Sequence, residues 1–219
     1  MTSRHPGLIA PLTAALLAAC SPGASEPPAP TVPAADTAQD ERPVEAGAWR
    51  LDSANSRLSF TSIKNNTVTE VHHFDELSGT VDADGNATLQ IVLDSVRTGI
   101  DIRDQRLREM LFETGRFALA TAQLSVDPAA SRALPPGAHL RLRTDVALDL
   151  HGLTNRLPAE LRITRLDDRT WLVTSEQPLV VDATRFGLIN GIDALRQVAG
   201  LQAIGSGIPV TLTLQFTGG

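Results

Sequence analysis

The feature that most constrains this chain is an alternation of apolar and polar residues in two segments. Residues 139–151 place apolar side chains at alternate positions, interrupted only by Thr144, with charged side chains between them. Residues 208–217 repeat the alternation near the end of the chain. Because successive side chains of a β-strand point to opposite faces, both segments are predicted to be strands with one buried face.

Shorter stretches complete a strand-rich pattern. Further strands are predicted at residues 49–52, 57–63, 67–74 with 77–82, 87–96, 117–127, 157–163 and 170–182. Residues 101–112 and 190–203 instead carry apolar residues at helical spacing, and Asn190 is predicted to cap the second helix. Because about eight one-faced strands can close on themselves, we predict a mainly β protein, an eight-stranded antiparallel β-barrel with two short helices.

The barrel interior is predicted from the apolar face of each strand. A low aromatic content of 4% and the small residues Ala118, Ala120 and Ala122 on one face favour a hollow lumen that holds one ligand. A packed interior is equally compatible with the alternation, and both alternatives stay open. The residues predicted to face the lumen are Phe60, Leu89, Ile91, Leu93, Leu140, Leu142, Val146, Leu148, Leu212 and Leu214.

The first 47 residues have a different character. Residues 1–19 have a short positive start and an apolar run too short to span a bilayer, as in a secretory signal peptide. Residues 17–20 (LAAC) resemble the lipobox of bacterial lipoproteins, which predicts lipidation of Cys20; cleavage of an ordinary signal peptide is the alternative. Residues 20–47 are predicted to be a disordered Pro/Ala-rich linker, and residues 48–219 the folded domain. Ser21 after the cysteine favours a periplasmic protein anchored in the outer membrane.

Composition excludes several classes of function. The net charge of −6 argues against a nucleic-acid partner, which needs a basic surface. The single cysteine precedes the domain, so neither a disulfide framework nor a Cys-based zinc site is expected. Residues 205–207 (GSG) lack the nucleophile-elbow pattern, and no Gly-rich phosphate cradle follows a strand. We therefore predict a binding protein and not an enzyme.

Four motifs, in order along residues 48–219, resemble those of the YceI-like family. They are residues 49–56 (WRLDSANS), residues 95–108 (SVRTGIDIRDQRLR), residues 148–154 (LDLHGLT) and residues 185–188 (RFGL). The resemblance implies a lipocalin-like barrel with a helix over it, and an isoprenoid quinone or a polyprenyl phosphate in its lumen. The chain departs from the family pattern at Arg106, where histidine is frequent, and over residues 62–74.

The resemblance supports a carrier or reservoir for an isoprenoid lipid. The alternative is a redox accessory that presents a quinone or haem to a b561-type membrane cytochrome, because some relatives are associated with such cytochromes. A lipid hydrolase or isomerase is a third alternative. The oligomeric state stays open, with a homodimer as one alternative, and no cofactor is predicted beyond the bound isoprenoid lipid itself.

Polar residues near the predicted mouth are the remaining candidates. Arg103 and Arg106 are predicted to bind the headgroup, because guanidinium groups suit phosphate and carbonyl oxygens. Glu70 and His72 are predicted to share one strand face, while His73 faces the other way, so no metal site is predicted and the role of these three residues stays open. A further histidine, His151, is predicted to be a turn residue whose ring bonds the backbone.

Overall fold

Residues 48–218 of the computed structural model form eleven β-strands and three short helices. In chain order the strands are β1 (Trp49–Lys64), β2 (Val68–Phe74), β3 (Leu77–Val81), β4 (Asn86–Val92), β5 (Val96–Arg97), β6 (Leu119–Ser125), β7 (His139–Leu150), β8 (Leu153–Arg165), β9 (Thr170–Ser175), β10 (Leu179–Asp182) and β11 (Gly207–Gly218). The helices are α1 (Asp101–Arg106), α2 (Pro128–Arg132) and α3 (Ile189–Val198). A π-helical turn, Leu107–Phe112, continues α1.

Eight of these strands close into a barrel. Antiparallel pairing runs around the ring β1–β3–β4–β6–β7–β8–β9–β11, and β11 pairs back to β1. The shorter strands β2, β5 and β10 extend the wall beyond β3, β4 and β9 at one end. The predicted mainly β, eight-stranded antiparallel barrel is therefore confirmed.

The first strand is longer than the sequence predicted, because two predicted strands are joined through a β-bulge. Residues 49–52 and 57–63 belong to the single strand β1, whose register against β11 shifts between Asp52 and Arg57. Within this bulge the Asp52 carboxylate accepts hydrogen bonds from the backbone and side-chain nitrogens of Asn55. The first of these bonds satisfies a backbone N–H that the shift removes from the ladder.

Both predicted helices are present, and a third was not predicted. Asn190 lies inside α3, which begins at Ile189, so the prediction that Asn190 caps this helix was wrong. The unpredicted α2 has only five residues; the Asp127 carboxylate accepts a hydrogen bond from the Ala129 backbone at 2.8 Å. An aspartate cap followed by proline is a favourable helix start, but five residues are too few to show apolar periodicity.

The apolar strand faces meet inside the barrel. On β7, for example, Val146, Leu148 and Leu150 are buried, whereas the intervening Asp149 faces outward. No helix within residues 48–218 combines the length and the apolar character that a membrane crossing requires. The predicted signal peptide, the lipidation site Cys20 and the linker lie outside the described residues, so these assignments stay predictions.

Candidate functional site

The barrel interior is hollow and contains two chambers. One has a volume of about 200 Å³ and the other a volume of about 380 Å³. Five apolar side chains line both chambers and mark the waist between them: Leu58, Ile91, Leu148, Val181 and Val210. Because the chambers share these wall residues, they adjoin one another inside the barrel, and the two chambers together are here called the tunnel. The structure thus decides for the hollow interior, which the sequence left open.

The smaller chamber, here called the Trp chamber, lies at the end of the barrel where β1 begins. Trp49 and Trp171 border it and meet edge to face, with ring centroids 5.6 Å apart. Helix α2 and the turn between β3 and β4 line its outer end. The indole nitrogen of Trp171 is buried without a hydrogen-bond partner. The other lining residues are mostly aliphatic, as a site for a hydrocarbon chain requires.

The larger chamber, here called the helix chamber, is covered by two helical segments. The π-helical turn contributes Leu107 and Leu111, and α3 contributes Ile192 and Leu195. The segments approach closely at Gly191, where a Cβ atom would lie 2.5 Å from the carbonyl oxygen of Met110. Glycine at this position therefore allows the two segments to cover the chamber together.

Eight of the ten residues predicted to face the lumen line this tunnel. Ile91 and Leu148 lie at the waist. The others are Leu89, Val146, Leu212 and Leu214 in the Trp chamber, and Phe60 and Leu93 in the helix chamber. Leu140 and Leu142 do not line either chamber; they pack, partly buried, against the core. They lie on a part of β7 that has no β6 partner, since these strands pair only at residues 121–123 and 147–149.

A cluster of polar side chains lies at the helix chamber. This polar cluster consists of Ser62 and Lys64 on β1, Glu70 and His72 on β2, and Arg103 on α1. Both the Lys64 ammonium and the Arg103 guanidinium lie 2.6 Å from Oε2 of Glu70. The His72 ring bonds the Ser62 hydroxyl through Nε2 at 2.9 Å and lies 3.9 Å from the Glu70 carboxylate. The strand pairing creates this group, because Ser62 lies directly opposite Glu70.

The charges of the polar cluster are set by its own contacts. The hydrogen bond from Lys64, and then the charge of Arg103, hold the pKa of Glu70 below its usual value. Burial, followed by the charge of Arg103, lowers the pKa of His72. At neutral pH the cluster therefore combines two cations, one carboxylate and a neutral imidazole. Nδ1 of His72 and Nε of Arg103 are buried without a hydrogen-bond partner among the described residues, an exception among buried polar atoms.

The start of α1 is fixed by bonds that also orient Arg103. The buried Asp104 carboxylate accepts hydrogen bonds from the backbone nitrogen and the hydroxyl of Thr98. The Arg103 guanidinium donates to the Thr98 carbonyl at 2.7 Å. Arg106, the second predicted mouth residue, also borders the helix chamber. The structure therefore brings both arginines to one end of the tunnel, although contact with a ligand stays a prediction.

The other histidines within residues 48–218 do not line the tunnel. His73 faces away from His72, as predicted, and its ring lies 3.1 Å from the Asp75 carboxylate. His151 lies in a turn with a φ of 54°, but its ring contacts the Glu113 carboxylate at 3.2 Å instead of the predicted backbone group. Within residues 48–218 no three His, Cys, Asp or Glu side chains are grouped to hold a metal ion.

Two members of the polar cluster were not predicted from the sequence. Ser62 and Lys64 share the inward face of β1 with Leu58 and Phe60, so this face changes from apolar to polar toward the end of the strand. That change was the signal available in the sequence. Polar residues at a strand end are usually solvated, and only the pairing with β2 and the position of Arg103 give them a common site.

Comparison with known proteins identifies the family. The model of the YceI-like domain matches residues 49–216. The chain belongs to the YceI-like family. Among solved structures, it is similar to a polyisoprenoid-binding domain from Saccharophagus degradans implicated in plant cell wall breakdown. The two are 37% identical with a TM-score of 0.77, and the match covers 78% of this chain and 98% of that one. That chain consists almost wholly of the matched region.

A more distant structure shares the fold alone. BcnA from Burkholderia cenocepacia is 16% identical, with a TM-score of 0.59, and the match covers 75% of this chain and 98% of that one. No curated protein sequence matches the chain. Both solved structures share the architecture of this YceI-like domain.

Proposed function

We propose that this YceI-like protein binds an isoprenoid lipid, with the tail in the tunnel and the headgroup at the polar cluster. The observation that carries the proposal is a tunnel of two adjoining apolar chambers with hydrogen-bonding groups at the helix chamber. The similar domain from Saccharophagus degradans is described as polyisoprenoid-binding, which supports the same ligand class here. On this proposal the protein stores or carries the lipid and catalyses no reaction.

The tunnel matches the tail of such a ligand in chemistry and shape. Removing apolar surface from water contributes roughly 25 cal/mol per Å², so each enclosed isoprene unit adds to the affinity. On this proposal a branched hydrocarbon chain extends through both chambers past the waist, where all five shared side chains are apolar. The methyl branches of an isoprenoid fit walls built mainly from leucine, isoleucine and valine.

The polar cluster provides bonding groups for an oxygen-bearing headgroup. Nε of Arg103 carries an unpaired donor, and so does Nδ1 of His72 when the Ser62 hydroxyl donates to Nε2. Both atoms are buried, so a headgroup would pair with them after a local side-chain movement. Lys64 and Arg103 carry one more positive charge than Glu70 balances. A quinone carbonyl would bond these donors, and a polyprenyl phosphate would also gain from the excess positive charge. Both headgroups remain in the proposal.

The proposed place of action is the periplasm. Lipidation at Cys20 would hold the domain at a membrane, favouring the outer one, and residues 20–47 would connect anchor and barrel. Fully extended, this connection spans at most ~95 Å. The protein would then be a tethered carrier or reservoir that exchanges lipid with nearby membranes.

Extraction of the bound lipid tests the proposal. The protein is purified gently from a bacterial envelope, extracted with organic solvent and analysed by mass spectrometry. We expect an isoprenoid quinone or polyprenyl phosphate in the wild type, and a strong reduction in Ala122→Phe, which places a ring in the Trp chamber. Gln123→Phe, on the exposed face of the same strand, is the matched control and should retain the lipid. A wild-type extract without isoprenoid lipid would refute the proposal.

The second candidate is the redox accessory. The observation in its favour is the neutral His72 beside the anionic Glu70 at the helix chamber, a pair that could exchange a proton with a bound quinone. On this alternative the protein presents quinone or haem to a b561-type cytochrome. Freshly purified protein should then show a quinone or haem absorption band that His72→Ala removes. A colourless, quinone-free protein would contradict this alternative.

A further inference from the structure

Large apolar side chains lie exposed around the helix chamber. Five of them come from elements that line or adjoin this chamber, and we call them the apolar rim: Val68, Val71, Ile100, Ile102 and Val198. Val71 is 68% exposed and Ile102 is 53% exposed. Exposed leucine or valine side chains are unremarkable when scattered, but a group at one end of a molecule marks an interaction surface.

Three of the rim residues line the helix chamber or lie next to residues that line it. Val68 lies directly opposite Lys64 in the pairing of β1 with β2. Ile102 precedes Arg103 in α1, and Val198 itself lines the helix chamber. Three separate elements therefore bring apolar side chains to the place where the polar cluster also lies.

We propose that the apolar rim docks into the surface of a lipid bilayer, so that the ligand passes between membrane and tunnel without entering water. This inference rests on the proposed function, because an isoprenoid lipid resides in a bilayer before and after transport. Each methylene group that crosses water costs about 0.8 kcal/mol. A tunnel mouth bordered by apolar side chains removes much of that barrier, since the tail leaves one apolar environment directly for another.

The charge of the chain shows which force would hold the rim to the membrane. The chain carries a net charge of −6, which gives no general attraction to an anionic surface. Docking must then come from burial of the rim itself. The long stems of Lys64 and Arg103 can extend along the interface with their charged ends in the headgroup layer. Binding is therefore expected on neutral phosphatidylcholine, with little dependence on salt.

The attachment of the preceding chain leaves the rim free to dock. The chain enters the barrel at Trp49, whereas Lys64, at the other end of β1, belongs to the polar cluster. These two ends of the strand are about 40 Å apart at the usual rise per residue, because the bulge between Asp52 and Arg57 shortens the strand. Residues 20–47 can span up to ~95 Å when extended, so a domain anchored at Cys20 can still turn its rim toward the same membrane.

The test uses the domain of residues 48–219, which contains the whole closed barrel and its core, without any acyl anchor. It is mixed with phosphatidylcholine vesicles that contain a long-chain isoprenoid quinone, and both vesicle flotation and quinone transfer are measured. The double variant Val71→Asp with Ile102→Asp alters the rim. The matched control is Leu166→Asp, an equally drastic change at an exposed leucine beyond the other end of the barrel, after β8. Circular dichroism verifies that all the variants are folded.

The expected result is that the rim variant loses vesicle binding and transfers quinone at least about tenfold more slowly, while Leu166→Asp behaves as the wild type. Loading from detergent micelles should be normal in all three proteins. If the rim variant and Leu166→Asp bind and transfer alike, the docking proposal is overturned. If the wild type does not bind vesicles, it is also overturned, and a protein partner becomes the occupant of the rim. Failure to load even from micelles would instead refute the proposed function.

Discussion

The Arg103 guanidinium on α1 donates to the Glu70 carboxylate on β2 at 2.6 Å, and this ion pair joins the helical cover of the tunnel to the barrel wall. A second bond from Arg103 to the Thr98 carbonyl holds the guanidinium in place. Because Glu70 also binds Lys64, one carboxylate organises two cations at the site where the headgroup is proposed to lie. The same contact therefore serves both the stability of the cover and the electrostatics of the site.

Replacing Arg103 should cost stability through this contact. We expect Arg103→Met to lower the free energy of unfolding by about 1 kcal/mol, a value typical of a partly exposed ion pair. Arg103→Lys should recover only part of the loss, because a single ammonium group cannot reproduce the two-pronged contact with Glu70 and Thr98. Urea denaturation of Arg103→Met, Glu70→Gln and the double variant gives the coupling energy. Additive effects of the two substitutions would contradict an energetic link.

The free energy of unfolding should fall on mild acidification because of His72. Burial lowers its pKa in the folded protein below the ordinary value of 6.5, so on acidification the unfolded chain takes up the proton first. Below about pH 6.5 this histidine therefore favours unfolding, with a slope of at most ~1.4 kcal/mol per pH unit. Glu70 adds a loss at lower pH, since its lowered pKa supplies stability above 4.5 that vanishes as the carboxylate is protonated.

Urea denaturation at about pH 7 and at about pH 5.5 checks the histidine contribution. His72→Gln should show a smaller difference between the two conditions than the wild type. Ser62→Ala is the control: it removes the hydrogen bond to His72 at 2.9 Å but keeps the titrating ring, so the difference should persist. The same pH dependence in His72→Gln and in the wild type would show that another group is responsible.

Alternation along the strands predicted the barrel and most of the tunnel wall for a physical reason. In a barrel, every second side chain of a strand points inward, and this does not depend on which strand lies beside it. Residues such as Leu89 and Leu214 could therefore be assigned to the interior from their own segments alone. Leu142 shows the limit, because alternation gives the face but not the position of the chamber along the barrel.

The polar cluster could not be assembled from the sequence in the same way. Lys64 and Glu70 meet because β1 and β2 form a hairpin, which is a local relationship. Arg103 reaches them only because the chain passes through β3, β4 and β5 before α1 returns to the same end. Arg103 was predicted as a mouth residue from the chemistry of its guanidinium group, but its pairing with Glu70 depends on long-range packing that no local pattern encodes.

The close approach of α3 to the π-helical turn at Gly191 predicts how a substitution there changes the stability of the helical cover. Alanine is favoured over glycine within a helix by up to about 1 kcal/mol, so propensity alone predicts that Gly191→Ala is stabilising. The added Cβ would, however, lie 2.5 Å from the Met110 carbonyl oxygen and 2.9 Å from Cα of Leu111, both backbone atoms. We expect this strain to prevail and to give a net destabilisation of about 1–3 kcal/mol.

Gly115→Ala is the matched control, since a Cβ there would meet no atom within 4 Å. Its effect on the free energy of unfolding should stay within about 0.5 kcal/mol. Both variants are compared by thermal and urea unfolding. Separation of α3 from the π-helical turn should also accelerate ligand release from Gly191→Ala. Equal stability of the two variants would mean that α3 and the π-helical turn can move apart without strain, contrary to the tight packing at Gly191.

The waist of the tunnel should determine which tail lengths bind. Ile91 is 5% exposed and lines both chambers, so Ile91→Trp is expected to separate them. A short prenyl tail that fits one chamber should still bind, whereas a long tail that passes the waist should lose affinity. Excluding only two methylene groups, at ~0.8 kcal/mol each, already weakens binding by more than about tenfold.

The measurement is the affinity for a series of prenyl quinones that differ only in tail length. Gln90→Trp is the control, because Gln90 is the exposed neighbour of Ile91 on β4 and its side chain faces away from the tunnel. We expect the Gln90 variant to retain the wild-type preference for long tails. Ile91→Trp should lose this preference while it still binds the shortest members. An equal loss for short and long tails would mean that the ligand does not extend through the waist, and that one chamber alone forms the site.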